Sequence, residues 1–184
     1  MNCGHDLSRA TRARRRLLIS CLLASTLFVG SARADDVADE ADLQFQIGAE
    51  RYDAGDYKGA LEHFLASNRL VANKNVLFNI ARTYEQLRRA PDAYRYYLLA
   101  LEGETQPQAR KRIEDAIVRI TPNVAILKVE TDPPGATVYL DRKDLGPRGN
   151  SPRTLGLGEG RRKVIVEKPG YEPTESDVVD LKVG

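Results

Sequence analysis

From residue 43 to residue 101 apolar side chains recur every three or four positions, the spacing that lays them along one stripe of a helix. Turn-forming residues interrupt the stripe at 54–56 and 88–91, so the pattern predicts helices over 43–53, 57–71, 75–87 and 92–101. Thr105-Gln106-Pro107-Gln108 has the form of a capping box and predicts a fifth helix, with Ala109, Ile113, Ala116, Ile117 and Ile120 as its apolar stripe. After Thr121-Pro122-Asn123 the period falls to two, since Ala125, Leu127 and Val129 alternate with Ile126, Lys128 and Glu130. A helical part over 35–121 therefore gives way to a β part over 122–184, joined by a linker too short to swing freely.

The helical pattern repeats. Gly48, Ala60, Phe64 and Ser67 each stand 33 residues before Ala81, Ala93, Tyr97 and Ala100. Small residues at such positions let paired helices cross closely, and the aromatic beside them fills the remaining space. GAERYDAGDYKGALEHFLAS and IARTYEQLRRAPDAYRYYLLAL resemble tetratricopeptide repeats over residues 41–101, with Arg51 where an aromatic is usual and Arg88-Arg89-Ala90 in the second turn. The resemblance implies two helix pairs plus a capping helix. It also implies a concave groove lined by the first helix of each pair, at Phe45, Ala49, Tyr52, Phe78, Arg82 and Glu85. Two aromatics beside an arginine suit a protein or peptide partner anchored by an apolar side chain. An alternative reading packs Phe45 and Phe78 under the N-terminal segment or against each other.

In the β part, short strands alternate with Gly/Pro turns, which predicts a small antiparallel sandwich and an α+β fold overall. Ala136, Val138, Leu140, Leu155, Leu157, Val164 and Val166 are the expected inward positions. TDPPGATVYLD and LGLGEGRRKVIVEKPGY resemble the PEGA domain, a β module of bacterial and archaeal envelope proteins, from about residue 124 to the end. Asp141-Arg142 replaces the usual Asp-Gly turn, and GPRGNSP is a longer connection than usual. The family pattern continues through one more strand, so a longer parent chain is expected. Tyr139 has the outward parity on its strand, and Tyr171 follows Gly170, where it is expected to lie back over the sheet. Both are candidate contacts for a cell-wall or surface glycan.

The N-terminal stretch changes the picture of where the protein works. Arg9, Arg12, Arg14, Arg15 and Arg16 precede an apolar run over 17–30 and the small residues of Ser31-Ala32-Arg33-Ala34, the form of a secretory signal over 1–34 cut after Ala34. The apolar run is short for a membrane span. An arginine pair of twin-arginine form and a lipobox-like Leu18-Ile19-Ser20-Cys21 are weaker readings, so membrane attachment is expected only through an uncleaved signal or a lipid on Cys21. Periplasm or cell envelope is the expected location.

Six arginines and one aspartate lie in 1–34, which takes the whole-chain balance from +2 to 22 basic against 25 acidic residues, net −3. A mildly acidic mature chain gives no footprint for nucleic acid. Both cysteines, Cys3 and Cys21, leave with the signal, so no disulfide or Cys-based metal site is expected.

The only histidine beyond the signal, His63, has neither a second histidine at metalloprotease spacing nor a nucleophile beside it in sequence, and a solvated position is expected for it. The glycines over 146–149 and 156–160 lack the Lys-Ser/Thr of a phosphate loop and read as turns between strands. Asp141, Asp144, Glu159 and Glu172 read as solvated turn carboxylates rather than calcium ligands. No enzyme, cofactor or metal is expected. The sequence reads as an envelope scaffold or adaptor that binds a partner through the groove, with glycan binding by the β part as the alternative and a plain structural spacer as a third reading.

Overall fold

The computed structural model describes residues 30–183, with side chains from residue 35 onward. The arginine-rich start, the apolar run and Cys3 and Cys21 lie outside the described residues. Among these residues the chain forms α1 (Gly30–Asp53), α2 (Tyr57–Leu70), α3 (Lys74–Gln86), α4 (Ala90–Glu102) and α5 (Pro107–Ile120). None is long and apolar enough to cross a membrane.

Helix α1 begins 13 residues before the expected 43 and runs through residues 31–34, where the signal reading placed its cut. The apolar stripe starts at Ala41, 4% exposed, and the helix continues upstream on polar residues that no stripe could have marked.

The turns follow local chemistry. Asp56 caps α2 by accepting the Gly59 N–H at 3.0 Å, while Gly55 takes the left-handed φ of +79° that closes the turn. Asn73 caps α3 through the Asn75 N–H. The expected capping box of α5 does not form: Gln106 is the N-cap, with no side-chain bond of its own. Glu104 takes over, accepting the Gln106 N–H at 2.8 Å and the Lys74 ammonium at 2.9 Å, and thereby ties the start of α5 to α3. A carboxylate with a lysine partner is the stronger acceptor, so it displaces the neutral hydroxyl of Thr105.

The repeat is realised in the packing. Ala60, Phe64, Ser67, Ala81, Ala93, Tyr97 and Ala100 are all buried, and a β-carbon on Gly48 would meet the Phe64 ring at 2.7 Å. Two aromatic pairs recur one repeat apart, Phe45 on Phe64 with centroids 5.5 Å apart and Phe78 on Tyr97 at 5.7 Å. His63 is half-buried rather than solvated, its Nδ1 hydrogen-bonding Gln44 Oε1 at 2.7 Å between α1 and α2.

A 3-10 turn (Thr121–Asn123) leads into β1 (Ala125–Val129), followed by β2 (Thr137–Leu140), a 3-10 turn (Lys143–Leu145), β3 (Arg153–Leu157), β4 (Gly160–Arg162), β5 (Val164–Glu167), β6 (Thr174–Glu175) and β7 (Val179–Leu181). All pairings are antiparallel, in three small sheets: β1–β3, β2–β5–β6 and β4–β7. Val129, Val138, Leu140 and Val164 form the buried β core, with Leu127, Leu155, Leu157 and Val166 packed against it.

In the turn where Arg142 replaces the usual glycine, it is Asp141 that adopts a positive φ, +63°, a conformation aspartate tolerates, and it accepts the Lys163 N–H at 3.0 Å. Gly156 is not in a turn, as expected, but within β3, where its missing side chain makes room for the Tyr94 ring of α4. That contact, with Val124 buried beside it, joins the β part to the helices.

Candidate functional site

Helices α1, α3 and α5 enclose a cleft of about 520 Å³ lined by Tyr52, Phe78, Arg82, Glu85, Tyr97 and residues of α5. It brings together four of the six expected groove residues: Tyr52, Phe78, Arg82 and Glu85. Phe45 and Ala49 are not among its lining residues. Phe45 is tilted against Phe64, so it packs within its own helix pair rather than against Phe78. Phe78 does both, stacking on Tyr97 and lining the cleft.

Arg82 is held by aromatic faces rather than by a carboxylate. Its guanidinium carbon sits 4.8 Å from the Tyr52 ring centre and 6.0 Å from that of Phe78. Among the described residues no acid lies within ion-pair distance of it, so its hydrogen-bond donors remain available.

Glu85, by contrast, is engaged. Arg119 donates to both its oxygens, Nε at 2.8 Å and Nη2 at 3.0 Å, and the Tyr97 hydroxyl donates at 2.9 Å. The Arg119 bond holds the Glu85 carboxyl below its ordinary range, with Tyr97 helping and partial burial opposing. Burial, and then the neighbouring carboxylate, push the Tyr97 hydroxyl well up. Glu85 is therefore less a contact for a partner than the post that fixes α5 against α3 and α4.

Helix α5 supplies what sequence reasoning missed. Arg112, Asp115 and Arg119 were not among the expected groove residues, yet all three line the cleft. The available signal was their spacing, since Arg112, Asp115 and Arg119 at i, i+3 and i+7 share a stripe that borders the buried Ala116. Asp115 is paired with Lys111 at 3.1 Å, leaving Arg82 and Arg112 as the uncommitted charges. The cleft thus offers an aromatic wall, a stacked guanidinium and an excess of positive charge, which together suit an apolar or aromatic anchor flanked by acidic side chains. Its lining holds no histidine, serine or threonine.

The two candidate glycan contacts do not form one platform. Tyr139 pairs in register with Ile165 on the face of β2–β5–β6 opposite the core, and it is half-buried. Ile165, of outward parity, is nonetheless only 5% exposed. Glu167 and Glu175 share its face and pair with Lys143 and Lys163, whose long stems can cover apolar surface. Tyr171 lies beyond β5 in the turn before β6, 58% exposed, with Lys168 Nζ 5.7 Å from its ring centre. Asp144 and Glu172 are on exposed turns, Asp144 paired with Arg142.

Residues 124–181 match the PEGA domain family. PEGA domains occur in extracellular and periplasmic proteins. No tetratricopeptide family matches the helices, whose repeat character rests on the packing described above. No curated protein matches the chain.

Proposed function

We propose that this chain is an exported, non-enzymatic adaptor of the periplasm or cell envelope, with tetratricopeptide-like helices that bind a protein or peptide partner and a PEGA-type module that presents the complex to the envelope. The observation that carries the reading is Arg82, stacked on Tyr52 and Phe78 with no acid committed to it, in a cleft whose own carboxylates are already paired. Such a group is of the hot-spot type of protein interfaces, an exposed arginine held on aromatic faces whose donors await an acceptor. A cleft built by two helix pairs and one further helix buries little area, so affinity is modest unless self-association adds valency.

The test is crosslinking in the periplasm of a related bacterial host, comparing wild type with Phe78→Ala/Arg82→Ala. A partner captured by wild type and lost from the double variant is the expected result. Equal capture by both removes the cleft from the function, and a chemical turnover abolished by one point substitution removes the adaptor reading altogether.

A second reading, glycan binding by the β part, draws on the exposed Tyr171 ring with a lysine over it, an arrangement that can stack on a sugar and bind its anionic substituents. Retention on purified sacculi that falls with Tyr171→Ala, and not with Phe78→Ala/Arg82→Ala, moves the function there.

A further inference from the structure

Between α4 and β3 lies a second cavity, about 270 Å³ in volume, on the far side of α4 from the partner cleft. Three guanidinium groups line it: Arg95 of α4, Arg148 of the long GPRGNSP connection, and Arg153 at the start of β3. Asp92 is the one carboxylate in this lining. It is already held by Arg89 at 2.8 Å and stands 3.9 Å from Arg95.

The Nε atoms of Arg148 and Arg153 are both buried and have no hydrogen-bond partner among the described residues. Among the described residues Arg148 forms no side-chain hydrogen bond or ion pair. Arg153 has only Glu102 at 3.6 Å, beyond hydrogen-bond length, and that carboxylate is 64% exposed. Buried donors on charged groups are costly when unmet, and both belong to side chains that line this one cavity.

The arginines are also held in place. The Arg148 N–H donates to the Val138 carbonyl at 2.7 Å and the Val138 N–H to the Gly149 carbonyl at 2.8 Å, which pins the connection to β2. Gly149, at φ +111°, lies flat against Arg153, where a β-carbon would stand 3.1 Å from its Nε. Leu98, Leu140, Leu155 and Leu157 complete the walls.

We infer that this cavity is a binding site for a phosphate group carried on a small, partly apolar substituent. Phosphate oxygens accept from the guanidinium groups of Arg148 and Arg153, Arg95 supplies the third cation, and the leucines take the substituent. Three guanidinium groups against one engaged carboxylate suit a dianion better than a single carboxylate, and the planar fork of arginine fits phosphate geometry. The volume, near the small end for ligand pockets, admits a phosphomonoester or one headgroup rather than a nucleotide. The site is independent of the partner cleft and of the adaptor reading.

The experiment titrates the full-length chain with inorganic phosphate at constant ionic strength against chloride, reading arginine Nε–Hε resonances and Tm. Saturable shifts of the Arg148 and Arg153 signals with a rise in Tm are expected. In Arg148→Gln/Arg153→Gln the Tm rise and the saturable shift of the remaining Arg95 signal should be lost, and in Arg161→Gln, on the exposed strand β4 outside the cavity, the responses should be unchanged. Should the double variant fail to fold, Arg95→Gln, on the exposed face of α4, replaces it and should weaken phosphate binding about tenfold, the loss of one charge-assisted contact.

Absence of saturable shifts, or shifts that persist in every cavity variant, overturns the inference. Glycerol phosphate and vesicles of phosphatidylglycerol in phosphatidylcholine then separate the sources. Tighter binding of the soluble ester supports a free metabolite, and vesicle sedimentation lost with Arg95→Gln supports a lipid headgroup.

Discussion

Tyr94 of α4 lays its ring on the backbone of β3 at Gly156, so closely that a β-carbon there would stand 2.9 Å from Tyr94 Cγ and from Val124 Cγ1. Both neighbours are buried and neither can step aside. Gly156→Ala should therefore cost about 1–3 kcal/mol, the range for overpacking a filled site. Pairing it with Tyr94→Leu should give less loss than the two single changes added together, since they share one contact. Urea denaturation of the four proteins measures this.

Two glycines of the helical part make a matched comparison. Gly48→Ala drives a methyl into the Phe64 ring at 2.7 Å and should destabilise by about 1–3 kcal/mol. Gly103, at φ −94° after α4, has no atom within 4 Å of where its β-carbon would lie. Gly103→Ala should be neutral or stabilising by up to about 1 kcal/mol, through the unfolded chain's lost freedom. Thermal melts of equal quality separate the signs.

Arg82→Ala should remove the partner while leaving stability within about 0.5 kcal/mol, because the side chain is exposed and has no ion pair among the described residues. Phe78→Ala should lower both, because its ring also packs on Tyr97. A binding assay beside a melt distinguishes them, and a large Tm loss in Arg82→Ala would show that its stacking is structural.

Acid should loosen the helical part through two carboxyls. Glu85 is held below its ordinary value of 4.5 by Arg119, and Glu104 by the Gln106 N–H and Lys74. A depressed carboxyl contributes stability above its unfolded value and loses it as pH falls through the lower folded value. Stability should thus hold level from neutral pH to about 5 and decline below 4.5. Glu104→Gln, less stable at neutral pH, should show a shallower decline; an unchanged slope would show that Glu104 is not a source of it.

The helical fold was legible because its crossing points use the smallest residues: Gly48 and Ala81, with Ala60 and Ala93 opposite, announce the repeat whatever surrounds them. Alternation likewise marked Val138, Leu140 and Val164 as core, though it missed Ile165, buried on the outward face among charged neighbours. The cleft was half legible. Tyr52, Phe78, Arg82 and Glu85 followed from which helix of each pair faces inward, but the part played by α5 depends on where Arg119 finds Glu85, 34 residues away. No local period records that meeting. Thr105 misled for a similar reason, since the acceptor that won, Glu104, draws its advantage from Lys74, 30 residues upstream.

Helix α4 has two loaded sides. Tyr97 backs the cleft, while Tyr94 carries the β part, and the chain between α5 and β1 is too short to act as a spring, at most about 14 Å for four residues. Tension applied between the helices and the β part has almost no slack to draw out, so it arrives as shear across the Tyr94–Gly156 seam. Pulled at its two ends, the protein should behave as a stiff coupling that fails there in a single rupture, with no compliant extension beforehand.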